Sequence, residues 1–198
     1  MKYDPHQKLN RNTQRTLKAF SEAMFNLLGE KSFDKITVNE ICARCDYPRA
    51  TFYNYFDDKY DLTEYCWFQL GKDAHLDLAK VQPSSTALLT VFDEVYSLFD
   101  THRDLLNRVV AHNPLESSLI TDFINHFTRE MTQVFANNVN VQRAHTPVAL
   151  VAQYYSNTVL LVLEWVFLAQ HDISLTEARA YLVELLGTPF GQTSANNA

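Results

Sequence analysis

Apolar side chains recur at helical spacing along most of this chain. Leu17, Phe20, Met24, Leu27 and Leu28 form one stripe and predict a helix over residues 12–28. Val38, Ile41 and Cys42 fall at i, i+3 and i+4 in a short helix over 37–45, and Phe52 and Phe56 lie four apart in another over 48–55. Leu62, Cys66 and Leu70 step along one side of a longer helix from 57 to about 80. Residues 81–86 (Val-Gln-Pro-Ser-Ser-Thr) interrupt the pattern, and further helices are expected near 84–100, 102–112, 115–137, 147–170 and 174–186. Pro114 and Pro147 stand at helix starts, where a missing N–H costs nothing. The connector 137–146 is polar with alternating Val and is not read as a strand. The expected fold is all-α with about nine helices: an N-terminal three-helix domain containing a helix-turn-helix, then a helical C-terminal domain. Residues 1–11 read as a mobile basic arm, and the residues after Gly187 as a disordered tail.

Residues 36–62 carry the most chemistry. Thr37 and Glu40 have the spacing of a capping box, in which each side chain satisfies the other's backbone N–H. Asp46 falls where the chain must turn sharply, and Asp tolerates the left-handed conformation better than most residues. Pro48 presets φ for the next helix. With Phe52 and Phe56 facing inward, Arg49, Ala50, Thr51, Tyr53, Asn54 and Tyr55 occupy the start and the other faces. These are side chains that touch phosphates and base edges, the outline of a helix-turn-helix DNA reader. Spacing alone also suits an ordinary surface hairpin with a polar face.

The segment resembles the DNA-binding domain of the TetR family of bacterial transcriptional regulators. The likeness covers about residues 10–80. It is carried by Ile36, Thr37, Val38, Ile41, Ala43, Arg49, Thr51, Phe52, Tyr53, Tyr55, Phe56, Lys59 and Leu62. Three positions depart from the family pattern: Asp46 stands at the usual turn Gly, Pro48 at the Ser before the recognition helix, and Ala50 at the Gly within it. Pro48 has no side-chain donor to offer a phosphate or base.

The resemblance implies a homodimeric, sequence-specific regulator, most often a repressor, that answers to a small-molecule effector. Its two reading helices would enter successive major grooves of a pseudo-palindromic operator, roughly 34 Å apart. It also implies DNA contacts from Thr37, Pro48, Arg49, Ala50, Thr51, Tyr53, Asn54, Tyr55 and Lys59. Arg49 and Tyr53 would meet base edges, with Ala50 against a thymine methyl. Thr37, Thr51, Tyr55 and Lys59 would hold phosphates. The domains expected are residues 1–57 for the arm and DNA reader, 58–187 for effector binding and dimerisation, and 188–198 for the tail. The helix beginning at 57 would join reader and body as a lever.

Charge does not oppose this reading. The 198-residue chain has a net charge of −6. Residues 1–62 hold ten Lys/Arg against nine Asp/Glu, whereas residues 63–198 hold seven against fourteen. DNA affinity depends on local phosphate neutralisation, so a modestly basic arm on an acidic body is compatible with it. Four glycines leave no Gly-rich phosphate loop, and no Ser/His/Asp or Cys/His arrangement or metal-ligand cluster suggests an enzyme. Cys42, Cys45 and Cys66 suit a reducing cytosol. Cys42 and Cys45 form a single CxxC inside a helix, read as packing rather than metal binding. No cofactor is expected. The most apolar stretch, 159–169, is interrupted by Glu164 and too short to span a bilayer, so a cytoplasmic protein is expected.

The helix over 147–170 is apolar nearly all round and must be buried on more than one side. With the last helix it suggests a four-helix interface in a twofold dimer, through Val159, Leu163, Val166, Phe167, Tyr181, Leu182 and Leu185. Glu164 would find its partner there. The expected effector pocket draws on Tyr96, Phe99, Phe123, His126, Phe127, Tyr154 and Asn157, with His102, His112 and Glu164 as further polar groups. The alternative is a DNA-binding regulator whose C-terminal domain recruits a protein.

Overall fold

A computed structural model of the chain describes residues 10–73, 87–138 and 146–187. Among these residues there are nine α-helices and no strand. They are α1 (Arg11–Leu28), α2 (Val38–Cys45), α3 (Arg49–Tyr55), α4 (Lys59–Asp73), α5 (Ala87–Thr101), α6 (Arg103–His112), α7 (Ser118–Asn138), α8 (Val148–Leu163) and α9 (Leu175–Gly187). A 3-10 turn, Phe33–Lys35, precedes α2, and a π turn, Glu164–Leu168, ends α8. Each helix lies within a few residues of its predicted span. Most of the basic arm, the expected end of the fourth helix, the break at 81–86, most of the 137–146 connector and the tail lie outside the described residues.

The chain forms two compact units. One contains α1–α4, α6 and the first turns of α7; the other contains α5, the rest of α7, α8 and α9. This division by packing does not coincide with the division by role expected at residue 57.

In the first unit the core is built on Phe20. Its ring lies 5.4 Å from Phe52 and 6.2 Å from Phe56, both edge-on, and 5.4 Å from Tyr47. Leu17, Met24 and Leu28 of α1, with Ile36, Ile41 and Leu62, complete a fully buried set. Burying each such side chain stabilises by about 1.5–3 kcal/mol. Gly29 caps α1, but with φ −79° and ψ −4°, so the left-handed freedom of glycine is not what is used. A Cβ there would come within 3.2 Å of Arg108 Nε. A small shift of the Arg108 side chain on α6 would relieve that contact.

In the second unit the phenyl rings of Phe99 and Phe167 meet edge-on at 5.4 Å, Tyr96 lies 5.0 Å from Phe167, and Phe127 lies 5.7 Å from Phe99. Val159, Leu163, Val166, Ala178 and Leu182 are buried around them. The π turn closes through the N–H of Ala169 to the carbonyl of Glu164 at 2.8 Å, and Gln170 then adopts a left-handed conformation (φ 59°) that ends the helix.

Replacing Phe20 with Ala removes the ring on which both Phe52 and Phe56 rest. It is expected to destabilise the chain by about 3–5 kcal/mol in denaturant titration, with loss of the helical signal of the first unit.

Candidate nucleic-acid interface

The reader begins at Thr37, the N-cap of α2. Its Oγ1 accepts the N–H of Glu40 at 3.3 Å, and Glu40 Oε2 accepts the N–H of Thr37 at 3.0 Å. The capping box is thus present. Lys31 ion-pairs with Glu40, while Arg44 grips Glu30 with two bonds of 2.7 Å each. The hydrogen bond from Lys31, then those from Thr37, hold the Glu40 carboxyl down at about 2. Arg44 likewise lowers Glu30.

The turn after α2 is made at Asp46, which takes the left-handed conformation (φ 55°, ψ 43°) at the position of the family's glycine. The N–H of Tyr47 then returns to the carbonyl of Cys42 at 3.0 Å. Pro48 is the N-cap of α3 rather than its first residue, with no side-chain cap bond. Its carbonyl accepts from Thr51 and Phe52 at 2.9 and 3.3 Å.

On α3 the faces separate cleanly. Phe52 is fully buried, as is Phe56 just past the helix end. Pro48, Arg49, Ala50, Tyr53 and Asn54 are exposed, and Thr51 and Tyr55 are half-buried. The Arg49 guanidinium donates to Tyr53 Oη at 3.1 Å and lies 5.6 Å from that ring's centroid. The two side chains foreseen at base edges therefore hold each other on one outward face, which carries no acid. Thr37 is exposed as well. Lys59 is placed otherwise: its Nζ donates to the backbone carbonyls of Phe33, Asp34 and Ile36.

The cysteines are packed. Cys45 Sγ donates to the Ile41 carbonyl at 3.1 Å, and burial pushes its thiol up to about 11. Burial also raises Cys42, and it carries Cys66, fully enclosed against Ser21, up to about 12. Among the described residues no group of three or more His, Cys, Asp or Glu could hold a metal ion.

Of the residues foreseen around an effector, Tyr96, Phe99 and Phe127 lie together inside the second unit. Phe123 belongs to the first unit, 4.8 Å from Trp67. His126 is half-buried beside Phe127, and Tyr154 and Asn157 are on the surface. The Tyr96 hydroxyl donates to the Ile173 carbonyl at 2.6 Å. His102 sits at the N-cap of α6 and His112 in its last turn, where its Nδ1 meets the Arg108 carbonyl at 3.0 Å.

The residues foreseen at a dimer interface divide in the same way. Val159, Leu163, Val166, Phe167 and Leu182 are interior to the subunit, because α8 turns that face to its own core. Only Tyr181 and Leu185 stay exposed. The opposite face of α8 bears a separate apolar stripe, Leu150, Tyr154, Leu161 and Trp165, each at least 50% exposed. Periodicity could not assign the two sides because both are apolar. Glu164 is half-buried next to this stripe, and burial raises its carboxyl. No described helix is long and apolar enough to cross a membrane.

The family model of the bacterial regulatory proteins of the tetR family matches residues 22–66, which span α2, α3 and the turn between them. No curated protein matches the chain at a significant level. Among solved structures, a candidate TetR-family regulator from Syntrophomonas wolfei is similar over 88% of this chain and 94% of its own, with 18% identity and a TM-score of 0.67. The regulator FadR from Bacillus subtilis, solved with stearoyl-CoA, is similar over 85% and 96%, with 15% identity and a TM-score of 0.61. The dihydroxyacetone kinase operon activator DhaS is similar over 86% and 93%, with 16% identity and a TM-score of 0.55. At these identities the likenesses establish the fold.

The lowered Glu40 carboxyl gives a signed expectation. A depressed carboxyl stabilises the folded chain fully above its ordinary value near 4.5 and ceases to do so as pH falls toward about 2. Glu40→Gln should therefore lower Tm at neutral pH, and the gap from wild type should shrink steadily as pH falls through that window.

Proposed function

We infer this chain's mode of action from its membership of the TetR family, whose members are DNA-binding transcriptional regulators and not enzymes. We propose that it binds a pseudo-palindromic operator as a homodimer, with residues 1–57 reading DNA and residues 58–187 carrying dimerisation and the response to an effector. The observation that carries this reading is α3 itself: one face anchored on Phe52, the other offering Arg49, Ala50, Tyr53 and Asn54 outward. Arg49 and Tyr53 read base edges, and Ala50 is small enough to meet a thymine methyl. Pro48 abuts the groove without donating. Thr37, Thr51 and Tyr55 set register on phosphates.

The dimer forms through the exposed stripe of α8, Leu150, Tyr154, Leu161 and Trp165, joined by Tyr181 and Leu185 of α9. The Tyr154 hydroxyl already donates to the Leu185 carbonyl at 3.2 Å, which ties the two helices of this face together. A contiguous apolar patch of this kind is uncommon on a monomer. The protein works in the cytoplasm, beside the chromosome, as a repressor.

The effector is a small molecule whose apolar part is received among Tyr96, Phe99 and Phe127. The interior of the second unit is aromatic, and the buried Ser156 hydroxyl lies 3.2 Å from the hydroxyl of the half-buried Thr132. Since the similar FadR binds stearoyl-CoA, long-chain acyl thioesters are the first class to screen. Such a ligand acts by favouring a dimer whose reading helices no longer match the groove spacing, which requires differential affinity for that state. The second reading, recruitment of a protein by the C-terminal domain, is favoured by how closely these rings pack on one another. A thermal-shift screen separates the two: a rise in Tm with an acyl-CoA, accompanied by release of DNA, supports the effector.

Fluorescence anisotropy with a duplex from the chain's own promoter region tests the operator reading. Arg49→Ala should weaken binding by about 1–3 kcal/mol and relax sequence preference; unchanged affinity and preference would refute the contact. Leu161→Glu should give a monomer by light scattering while α1–α4 stay folded, with operator affinity reduced at least about tenfold as the second half-site is lost.

A further inference from the structure

The turn that delivers the chain into α2 is held by side chains from two distant helices. From the start of α4, Lys59 Nζ donates to the carbonyls of Phe33 at 2.8 Å, Ile36 at 3.1 Å and Asp34 at 3.2 Å. An ammonium has three N–H donors, and all three are engaged. The same nitrogen lies 4.5 Å from the Phe33 ring centroid and 5.6 Å from that of Tyr60. From the end of α6, Asn113, 1% exposed, accepts the Phe33 N–H on Oδ1 at 2.8 Å and gives its Nδ2 to the Val109 carbonyl at 2.9 Å. The peptide groups around Phe33 are thus gripped on the donor side by Asn113 and on the acceptor side by Lys59.

A cation in the first turn of a helix opposes the helix dipole. Its position is explained by the converging carbonyls at the end of the 3-10 turn, which attract positive charge. Residue 36 runs directly into the N-cap Thr37, and α3 follows α2 after a short turn, Asp46, Tyr47 and Pro48, of which Asp46 is left-handed. Wherever this turn sits, the reading helix goes with it.

Resting on the operator reading above, we propose that Lys59 and Asn113 are positioning residues. They fix α2 and α3 to α4 and α6 by clamping residues 33–36, and Lys59 acts through this clamp rather than through a phosphate. To reach a phosphate, Lys59 would have to give up its carbonyls.

The test uses the full chain and the promoter duplex over a range of salt concentrations, well below Tm, with Lys59→Met, Lys59→Arg and Asn113→Leu. The clamp predicts that each variant weakens operator binding by about tenfold. The slope of log K against log salt should stay at the wild-type value. Lys59→Arg should behave like Lys59→Met, since a planar guanidinium does not fit three carbonyls converging on one point. Lys59→Met combined with Asn113→Leu should lose little more than either alone, because both act on one turn. A direct phosphate contact predicts the reverse: the slope falls by about 0.9 in Lys59→Met, and Lys59→Arg binds like wild type. That result, or wild-type affinity in Asn113→Leu, would overturn the clamp. Should Asn113→Leu not fold, Asn113→Gln replaces it, keeping the amide but displacing it by a methylene. Absence of binding by the wild-type chain would instead sink the operator reading.

Discussion

A seven-residue helix has no stability of its own in water, so everything about this reader depends on what holds α3 from beneath. Phe52 and Phe56 do so, set edge-on against Phe20 of α1 and fully buried. With that side committed to the core, the other side of α3 has nowhere to face but outward. The exposure of Arg49, Ala50, Tyr53 and Asn54 is thus a consequence of packing on the opposite face.

Local electrostatics complete the reader without making the chain basic. Glu30, Glu40 and Asp58 are occupied with structure: two in ion pairs with Arg44 and Lys31, the third accepting the N–H groups of Tyr60 and Asp61 at the start of α4. Their charge serves helix ends and inter-helix ties. Arg49, whose hydrogen-bonding partner is the neutral hydroxyl of Tyr53, keeps its full charge on the outward face. A net charge of −6 is compatible with a DNA-facing surface because the body carries the excess acid.

The second unit is governed by α8, which is apolar on two sides. One side closes the subunit's own core around Phe99 and Phe167; the other leaves Leu150, Tyr154, Leu161 and Trp165 in water. That exposed side is what supports the proposal of a second copy. The π turn at Glu164–Leu168 is part of this arrangement, since an extra residue in the final turn rotates the chain beyond it.

The chain's periodicity by itself determined the helices, because a stripe at i, i+3, i+4 needs no tertiary information to be read. Local chemistry determined the Thr37–Glu40 capping box and the left-handed turn at Asp46, since both lie within a few residues of backbone. The division of α3 into faces was legible in residue types, with Phe52 and Phe56 inward and polar groups elsewhere. Only the tertiary structure decided which face of α8 is interior, because hydrophobicity has magnitude but no direction when both faces are apolar. It also placed Phe123 against Trp67 and put Tyr154 and Asn157 on the surface, away from the Tyr96–Phe99–Phe127 cluster. Lys59 and Asn113 show the limit most plainly. A lysine at a helix start and a polar residue after a helix look unremarkable in sequence, and their carbonyl and N–H partners lie 23 to 26 and 80 residues away. Hydrogen bonds over such separations are fixed by how helices pack, and no local pattern encodes them.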